Sequence, residues 1–294
     1  WLLPPSLAIR VNRMRTTPER LSVRLEEEGV RSRPSAFHPD ALLLEGLSSP
    51  VGKPPSFREG EWTVQGEGAM MAARILSPEP RQRVLDLCAA PGGKTGHLAE
   101  LASDRGTILA ADRSPERLRL VADQAGRLGL SSISLRLMDA SAPAQDLADG
   151  FDRVLADVPC SGLGLLSGKP EIRHRFRPGD LPGLEALQAA ILRTAADSTA
   201  PGGLLLYSTC TVLPSENREQ VVQFLADRSD FRPEPFVERL PERLVARDPG
   251  LAEDARRGWI QLLPHRHGCE GFYLALFRRS AAARGGEGPD AGSL

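Results

Sequence analysis

The chain has 294 residues, of which 41% are hydrophobic and 26% are charged, and its formal net charge is −1. This length suffices for one large α/β domain and a smaller one, since domains usually contain ~100–200 residues. The composition is typical of a soluble globular protein, and because no apolar run approaches the ~20 residues that span a bilayer, we expect no membrane partner. The near-zero charge means that any affinity for nucleic acid must come from local basic patches.

The four cysteines, Cys88, Cys160, Cys210 and Cys269, lie far apart in the sequence and form no close metal-type pair. The N-terminus lacks the pattern of a secretory signal, so we expect reduced thiols in a cytoplasmic protein. Its apolar start breaks at the Pro-Pro step of WLLPPSL. We interpret this start as the continuation of an upstream segment.

Residues 1–60 alternate short apolar runs with proline-rich breaks, and they predict a small α+β subdomain. The segment TTPERLSVRLEEEG carries the signals of a helix. Thr17 can cap its start and Pro18 suits its first turn. Leu21 and Leu25 then fall on one face.

From residue 61 onward, short apolar segments alternate with amphipathic ones, which is typical of a parallel, doubly wound α/β sheet. Ser114 and Pro115 begin one of the predicted helices, over residues 114–129. We expect this catalytic domain to cover residues 61–279 and to end in an antiparallel hairpin. The tail, 280–294, has nothing to bury and is predicted to be disordered. The predicted strands are 83–89, 106–112, 132–139, 151–157, 202–210 and 271–278.

The segment DLCAAPGGKTGHLAEL, residues 86–101, reads as a strand, a tight turn and a helix. Gly92 and Gly93 would let a ligand approach the backbone at the helix N-terminus. The segment is neither the dinucleotide fingerprint nor a P-loop, because Cys88 stands where the P-loop requires its first glycine. The alternative is a tight turn that binds no ligand.

Acidic residues end three of the predicted strands, and ligands of parallel sheets gather at this edge. Asp112 could accept the ribose hydroxyls of a nucleoside cofactor, and Asp139 could receive an adenine amino group. A lone aspartate at such a position is usually a helix cap or a loop residue. Three at successive strand ends favour a binding crevice.

Two cysteine motifs follow the later strands: DVPCSG at 157–162 and YSTCT at 207–211. A cysteine is often a small buried hydrophobic residue, and that reading stays open for either one alone. Both, however, end strands on the predicted ligand side. Asp157, Pro159 and Cys160 together could hold the edge of a planar ring and move a proton.

With these motifs the sequence resembles the RNA cytosine-5 methyltransferases of the RsmB and Sun type, which are related to the nucleolar NOL and NSUN enzymes. The matching segments are LDLCAAPGGKT, DVPCSG, YSTCT followed by LPSEN, and LPHRHGCEGF. The resemblance implies a Rossmann-like fold and S-adenosylmethionine as the cofactor. It also implies a cofactor-binding set, which comprises Cys88, Ala89, Ala90, Pro91, Gly92, Gly93, Lys94, Asp112, Arg117, Asp139 and Asp157.

The resemblance further implies that Cys210 is the nucleophile, that Cys160 assists product release and that Asp157 lies beside the target base. DNA cytosine methyltransferases use the Pro-Cys cysteine instead. Carbon 5 of cytosine is a weak nucleophile, so a thiolate must first add to carbon 6 and create an enamine. The base must be unstacked to be reached, which favours RNA loops or ends over continuous duplex.

This sequence departs from the family pattern at several positions. Gly66 replaces the acidic residue that usually follows the glutamine of the VQ segment, and KPEIRH stands for the common HPDIKW. Val158 replaces an alanine, and Ser215 stands where glutamate is frequent. We expect the core chemistry to survive these changes and the RNA contacts to differ.

The basic run KPEIRHRFR is the first candidate for phosphate contacts, and its alternative is a solvated face. Its cationic residues are Lys169, Arg173, Arg175 and Arg177. A weaker second patch comprises Arg10, Arg13 and Arg15.

The segment HRHGC offers His265, His267 and Cys269 as metal ligands, but a fourth ligand is not apparent. We therefore predict no metal and a turn before the final hairpin.

The sequence thus predicts a monomeric, S-adenosylmethionine-dependent RNA cytosine-5 methyltransferase, with small-subunit ribosomal RNA as the favoured substrate. Transfer RNA, or less plausibly DNA, is the alternative substrate for the same chemistry. An inactive RNA-binding assembly factor is the alternative of a different class. The presence of Cys160, Cys210 and Asp157 argues against this loss of activity.

Overall fold

The computed structural model describes residues 7–36, 38–45 and 50–281. Its N-terminal part is an antiparallel four-stranded sheet in the order β2-β3-β1-β4. The strands are β1 (Leu7–Val11), β2 (Arg31–Pro34), β3 (Ala41–Glu45) and β4 (Trp62–Val64), and the helices are α1 (Pro18–Glu27) and α2 (Pro55–Arg58).

Helix α1 covers one face of this sheet. The Thr17 hydroxyl accepts the Arg20 backbone N–H, which satisfies one of the free donors at the helix start as the sequence predicts. Leu21 and Leu25 pack with Ile9 on β1 and with Trp62 on β4. Because β4 pairs with β1 through Val11 and Trp62, the small sheet extends to Val64. The predicted boundary at residue 60 is therefore too early for the sheet.

The second sheet has the order β10-β12-β9-β8-β5-β6-β7, and β11 also pairs with β12. Neighbours among β5 to β9 run parallel, whereas β12 is antiparallel to its partners. The strands are β5 (Arg83–Asp86), β6 (Thr107–Asp112), β7 (Ile133–Leu137), β8 (Phe151–Asp157), β9 (Thr199–Thr209), β10 (Phe231–Pro233), β11 (Trp259–Leu262) and β12 (Phe272–Arg279). The predicted Rossmann-like, mostly parallel sheet with a final antiparallel hairpin is confirmed.

Helices cover both faces of the large sheet. They are α3 (Glu67–Leu76), α4 (Gly93–Leu101), α5 (Pro115–Leu128), α6 (Ile172–Arg175), α7 (Leu181–Ser198), α8 (Arg218–Asp227), α9 (Glu242–Arg247), α10 (Pro249–Arg256) and α11 (Pro264–His267). Side chains alternate along β9: Leu204 and Leu206 pack with α3 and α4, while Leu205 and Tyr207 pack with α7 and α8. This two-sided burial explains why β9 reads as a continuous apolar run.

The six predicted strands all form, and the ends of five of them are shifted. Strand β8 matches the predicted bounds, and β9 begins three residues earlier than predicted, at Thr199. Strand β5 ends at Asp86 instead of residue 89, because Leu87 to Ala90 leave the sheet for the glycine turn. The sequence reading missed the short edge strands β10 and β11, which lack a long apolar run.

Arg10 joins the two parts of the molecule. It lies on the face of β1 opposite Ile9, is 1% exposed, and pairs with Glu100 of α4 at 2.7 Å. Its guanidinium also donates to the Gly93 carbonyl at 2.7 Å and to the Gln65 side chain. The proposed basic patch is therefore wrong for Arg10, which is buried in the interface and not available to RNA.

No helix within the described ranges is long and apolar enough to cross a membrane. Of the predicted disordered tail, Ser280 and Ala281 are described, and the rest lies outside the described residues.

The buried pair predicts an asymmetric response to mutation. Glu100→Ala leaves the Arg10 guanidinium buried without its counter-ion, so we expect a loss of ~3–5 kcal/mol in the free energy of unfolding. The control is Glu253→Ala, which breaks an ion pair whose side chains are 65% and 62% exposed, and it should cost under ~1 kcal/mol. Urea denaturation measures both. Equal losses would contradict the role assigned to the buried pair.

Candidate active site

The two cysteine motifs meet because β8 and β9 are parallel neighbours. Asp157, the last residue of β8, pairs with Ser208 on β9, so the loops that follow leave the sheet at the same edge. The Sγ atoms of Cys160 and Cys210 lie 3.3 Å apart, and both residues are half-buried. The structure thus places in contact two thiols that are separated by 50 residues.

Lys94 and Asp157 form an ion pair beside these thiols. The Lys94 ammonium lies 2.7 Å from Asp157 Oδ2 and 4.9 Å from the centre of the Phe272 ring. Burial disfavours the charged ammonium, but the Asp157 carboxylate outweighs this effect and raises the pKa of Lys94. The other Asp157 oxygen accepts the Ser208 hydroxyl. A fixed positive charge therefore sits at the active edge.

The two thiols have opposite pKa shifts. The hydrogen bond from Cys160 lowers the pKa of Cys210, and the Lys94 ammonium adds to this, against the opposing effects of burial and Asp157. The pKa of Cys160 is raised, first by its hydrogen bond to Cys210, then by burial, by the charge on Cys210 and by Glu216. The surroundings of the pair therefore favour the thiolate form at Cys210 over that at Cys160.

A cavity of about 210 Å³ lies on one side of this pair. Its acidic lining residues are Asp112, Asp139 and Asp157, and its apolar ones include Leu87, Met138 and Ile191. Of the residues predicted to bind the cofactor, it is lined by Cys88, Ala90, Asp112, Arg117, Asp139 and Asp157.

The donor set of this cavity fits S-adenosylmethionine. Asp112 is 4% exposed and accepts the backbone N–H groups of Ala90 and Ser114. A carboxylate has about four acceptor positions, so Asp112 keeps capacity for ribose hydroxyls. Ser141 fixes Asp139 through its N–H and hydroxyl, and these bonds lower the pKa of that carboxyl. Apolar walls suit the adenine ring, and the carboxylates suit a cationic sulfonium.

A second cavity, of about 370 Å³, lies on the other side and also reaches Cys210 and Asp157. Its lining includes Gln65, Gly66, Lys169, Glu270 and Phe272, together with six residues of the predicted cofactor loop: Cys88, Ala89, Ala90, Pro91, Gly93 and Lys94. Gly92 lines neither cavity; its φ of 104° and a space beside Val121 too tight for a side chain account for the glycine. Cys88 and Ala90 therefore line both chambers, whereas Ala89, Pro91, Gly93 and Lys94 line only the second.

Glu270 explains the departure at Gly66. A Cβ atom at position 66 would lie 1.7 Å from Glu270 Oε1, so the glutamate already fills that space. Its other oxygen accepts the Gly68 N–H at 3.2 Å, at the start of α3, where Gly66 offers no side-chain cap. The acidic group missing from Gly66 is therefore supplied from a different segment of the chain.

The predicted phosphate contacts lie on the surface around α6. Lys169, Arg173, Arg175 and Arg177 are all exposed, and within the described part of the chain none of them forms an ion pair. Lys169 lines the second cavity, and the three arginines line neither chamber. The basic segment therefore starts at the second cavity, with Lys169, and its three arginines lie on the exposed surface.

The HRHGC segment connects β11 to β12, so it lies within the final hairpin and not before it. The Nδ1 atom of His267 accepts the Leu263 N–H, and its Nε2 donates to Asp248 at 3.1 Å. Cys269 is buried, and burial raises the pKa of its thiol. In the described ranges, no group of three or more His, Cys, Asp or Glu side chains could hold a metal ion.

With this geometry in place, comparison with known proteins shows the family. Residues 73–278 match the family described as 16S rRNA methyltransferase RsmB/F, and residues 3–50 match its ferredoxin-like domain. The chain belongs to the RsmB/F family. Membership of this methyltransferase family supports S-adenosylmethionine as the cofactor.

The relatives agree with this assignment. Two are named probable ribosomal RNA small subunit methyltransferase B: one from Synechocystis sp., 39% identical over 94% of this chain and 60% of its own length, and one from Bacillus subtilis, 36% identical over 95% and 61%. The chain therefore spans about 60% of the length of these curated relatives.

Two solved structures share the fold. The crystal structure of PH0851 has a TM-score of 0.85 and 34% identity, over 93% of this chain and 59% of its own. The structure of NSun6 from Pyrococcus horikoshii, solved with SFG, has a TM-score of 0.79 and 23% identity, over 96% and 92%.

Sequence reasoning missed Glu216 and Glu270 at this site. Both lie in segments that carry the family resemblance, LPSEN and LPHRHGCEGF, but the sequence gives neither a role. The presence of an acid soon after the second cysteine motif is the only sequence signal for Glu216. Lys94 is predicted as part of the cofactor loop, and the structure shows in addition that its ammonium pairs with Asp157 and acts on Cys210.

The contact between Gly66 and Glu270 predicts that Gly66→Asp changes the free energy of unfolding in opposite directions in the native chain and in a Glu270→Ala chain. In the native chain, Gly66→Asp brings two carboxylates together and displaces the Glu270 cap, so we expect it to destabilise the fold. In a Glu270→Ala chain the same substitution should stabilise it by ~0.5–2 kcal/mol, because aspartate is a favourable N-cap. Urea unfolding of the four proteins measures this, and additive effects would contradict the shared contact.

Proposed function

We propose that this protein is an S-adenosylmethionine-dependent RNA methyltransferase that modifies carbon 5 of cytosine in small-subunit ribosomal RNA, through a covalent bond from Cys210. The observation that carries the proposal is the contact between Cys210 and Cys160 at 3.3 Å, beside the Lys94–Asp157 pair and between two cavities. The names of the relatives support ribosomal RNA as the substrate.

The cofactor and the target cytosine would bind in different cavities. The first, with Asp112 and Asp139, would hold the cofactor, which supplies an electrophilic methyl group when bound. The second, which opens beside the exposed Lys169, would take the unstacked cytosine. Cys210 and Asp157 line both chambers, so they are available at the boundary where the methyl group must cross.

Cys210 would begin the reaction by adding its thiolate to carbon 6 of the ring. This addition moves electron density to carbon 5, which can then attack the methyl group. Carbon 5 must afterwards lose its proton, and breaking the bond from sulfur to carbon 6 then restores both the aromatic ring and the Cys210 thiolate. Cys160, or a water molecule that it positions, is the candidate acceptor of this proton.

Asp157 and Lys94 would recognise the base while they stabilise the charge. Asp157 can accept a hydrogen bond from the exocyclic amine of cytosine, which uracil lacks, so this contact discriminates between the two bases. The Lys94 ammonium, 2.7 Å from Asp157 Oδ2, lies where it can stabilise the negative charge that builds on the ring during addition.

Asp112 provides a test of cofactor binding that does not depend on turnover. Asp112→Ala removes a charged acceptor from the first cavity, so affinity for S-adenosylmethionine should fall by ~1.5–3 kcal/mol. Glu116→Ala is the matched control, because Glu116 is an exposed acid just beyond the same strand. Isothermal calorimetry on the folded proteins measures both. Unchanged affinity in Asp112→Ala would overturn its assignment.

Substitution of the two cysteines should block the reaction at different steps. Cys210→Ala should abolish methyl transfer and any covalent RNA adduct, since no thiolate remains to attack carbon 6. Cys160→Ala should form the bond but release it slowly, and so accumulate a cofactor-dependent protein–RNA band on a denaturing gel with ordinary cytosine RNA.

Three outcomes of this experiment count against the proposal. The reverse pattern would mean that the Pro-Cys cysteine is the nucleophile, as in the DNA enzymes. Full activity in both variants would exclude the covalent mechanism. If wild-type protein methylates transfer RNA but not small-subunit ribosomal RNA, which bisulfite sequencing of both detects, the substrate assignment is wrong.

A further inference from the structure

Glu216 is a fully buried acid that lies outside both cavities. It is 0% exposed, lines neither chamber, and forms no ion pair within the part of the chain that the structure describes. A buried carboxylate without a counter-ion is costly unless several donors satisfy it. It cannot touch the RNA or the cofactor, so any effect on the reaction must pass through its neighbours.

Its donors come from the Cys160 loop and from α7. Glu216 Oε1 accepts the Ser161 backbone N–H at 2.8 Å and the Gln188 amide at 2.9 Å, and Oε2 accepts the Ser161 hydroxyl. The same Gln188 amide donates to the Pro159 carbonyl at 3.0 Å. These bonds fix the residues on both sides of Cys160.

The neighbouring residue, Asn217, bonds to the residues on both sides of Cys210. Its side chain accepts the Thr209 hydroxyl at 2.6 Å and donates to the Thr211 carbonyl at 3.2 Å. A contact of 2.7 Å between the hydroxyls of Ser161 and Thr211 joins the two turns. Two consecutive residues therefore hold the two cysteine loops, and the spacing of the Sγ atoms follows from this arrangement.

The charged groups that act on the two thiols differ. Asp157 and Lys94 act on Cys210 with opposite signs, so their effects on its pKa oppose each other. Glu216, whose carboxylate bonds to the residue after Cys160, adds to the effects that raise the pKa of Cys160. The charge on Glu216 therefore disfavours a second negative charge on Cys160.

We propose that Glu216 is a positioning residue that holds the Cys160 loop against Cys210 and sets a buried carboxylate on the Cys160 side of the pair, so that Cys210 is the thiol that attacks the base. The catalytic part of this inference rests on the proposed function. Glu216 acts on the reaction only through Cys160, by the hydrogen bonds that position the loop and by the negative charge of its carboxylate.

The test measures the alkylation of each cysteine by iodoacetamide against pH, with mass spectrometry to resolve the two sites in the full chain. In the wild type, Cys210 should react at lower pH than Cys160. Glu216→Gln keeps the shape and one acceptor oxygen but removes the charge, so the rate at Cys160 near neutral pH should rise about tenfold, the change that one pKa unit gives. Glu219→Gln removes the same charge from an exposed site nearby and should change neither profile.

A second variant keeps the test decisive if Glu216→Gln does not fold. Gln188→Met is close in volume and removes a donor from the carboxylate, which leaves its charge less compensated. The reactivity of Cys160 should then move to higher pH, opposite in sign to the first variant. Unchanged Cys160 profiles in the folded variants, or an equal shift in Glu219→Gln, would overturn the inference.

These measurements need neither RNA nor cofactor, so they separate the inference from the proposed function. A wild-type protein that forms no adduct with RNA containing 5-azacytidine would refute the function while leaving the alkylation result intact. If both hold, Glu216→Gln in a Cys210→Ala chain should restore a weak adduct that maps to Cys160. No adduct from that double variant would show that the charge on Glu216 does not select the nucleophile.

Discussion

The parallel pairing of β8 with β9 is the constraint on which the rest of the active site depends. It sets Asp157 beside Ser208, and the loops that follow must leave the sheet at the same edge because both strands end there. Backbone hydrogen bonds inside a sheet buried on both faces hold this register. The contact between Cys160 and Cys210 then needs only local adjustment, which Ser161, Thr211 and the LPSEN segment supply.

Around this contact, the protein arranges charge so that the two thiols differ. Lys94 and Asp157 form an ion pair that acts on Cys210, whereas Glu216 acts on Cys160. In a partly buried site such charges act more strongly than in water. The difference in pKa between two chemically identical side chains therefore depends on where the surrounding elements begin and end. Lys94 lies in the first turn of α4, Asp157 is the last residue of β8, and Glu216 lies shortly before α8.

The N-terminal sheet is part of this construction. Arg10 extends from β1 to the Gly93 carbonyl and to Glu100, so the N-terminal sheet contacts the start of α4, directly after the glycine turn. Gln65 and Gly66 line the second cavity with Glu270. The departure from the family pattern at Gly66 is thus compensated within the same cavity, because the longer reach of Glu270 brings a carboxylate to the start of α3.

The sequence alone determined the central strands of the large sheet, several helix starts and the methyltransferase family. Alternating and continuous apolar runs predicted the central strands, Thr17 and Ser114 predicted helix starts, and the two cysteine motifs at strand ends predicted a shared crevice, because these signals depend only on neighbours in the chain. Tertiary structure decided the rest. That Arg10 is buried, that Lys94 faces Cys210, that Glu216 holds the Cys160 loop and that Glu270 fills the space at Gly66 all result from contacts between distant segments. Such contacts are set by the order of strands and the packing of helices on them, and a local sequence pattern carries no information about which distant side chain will lie beside it.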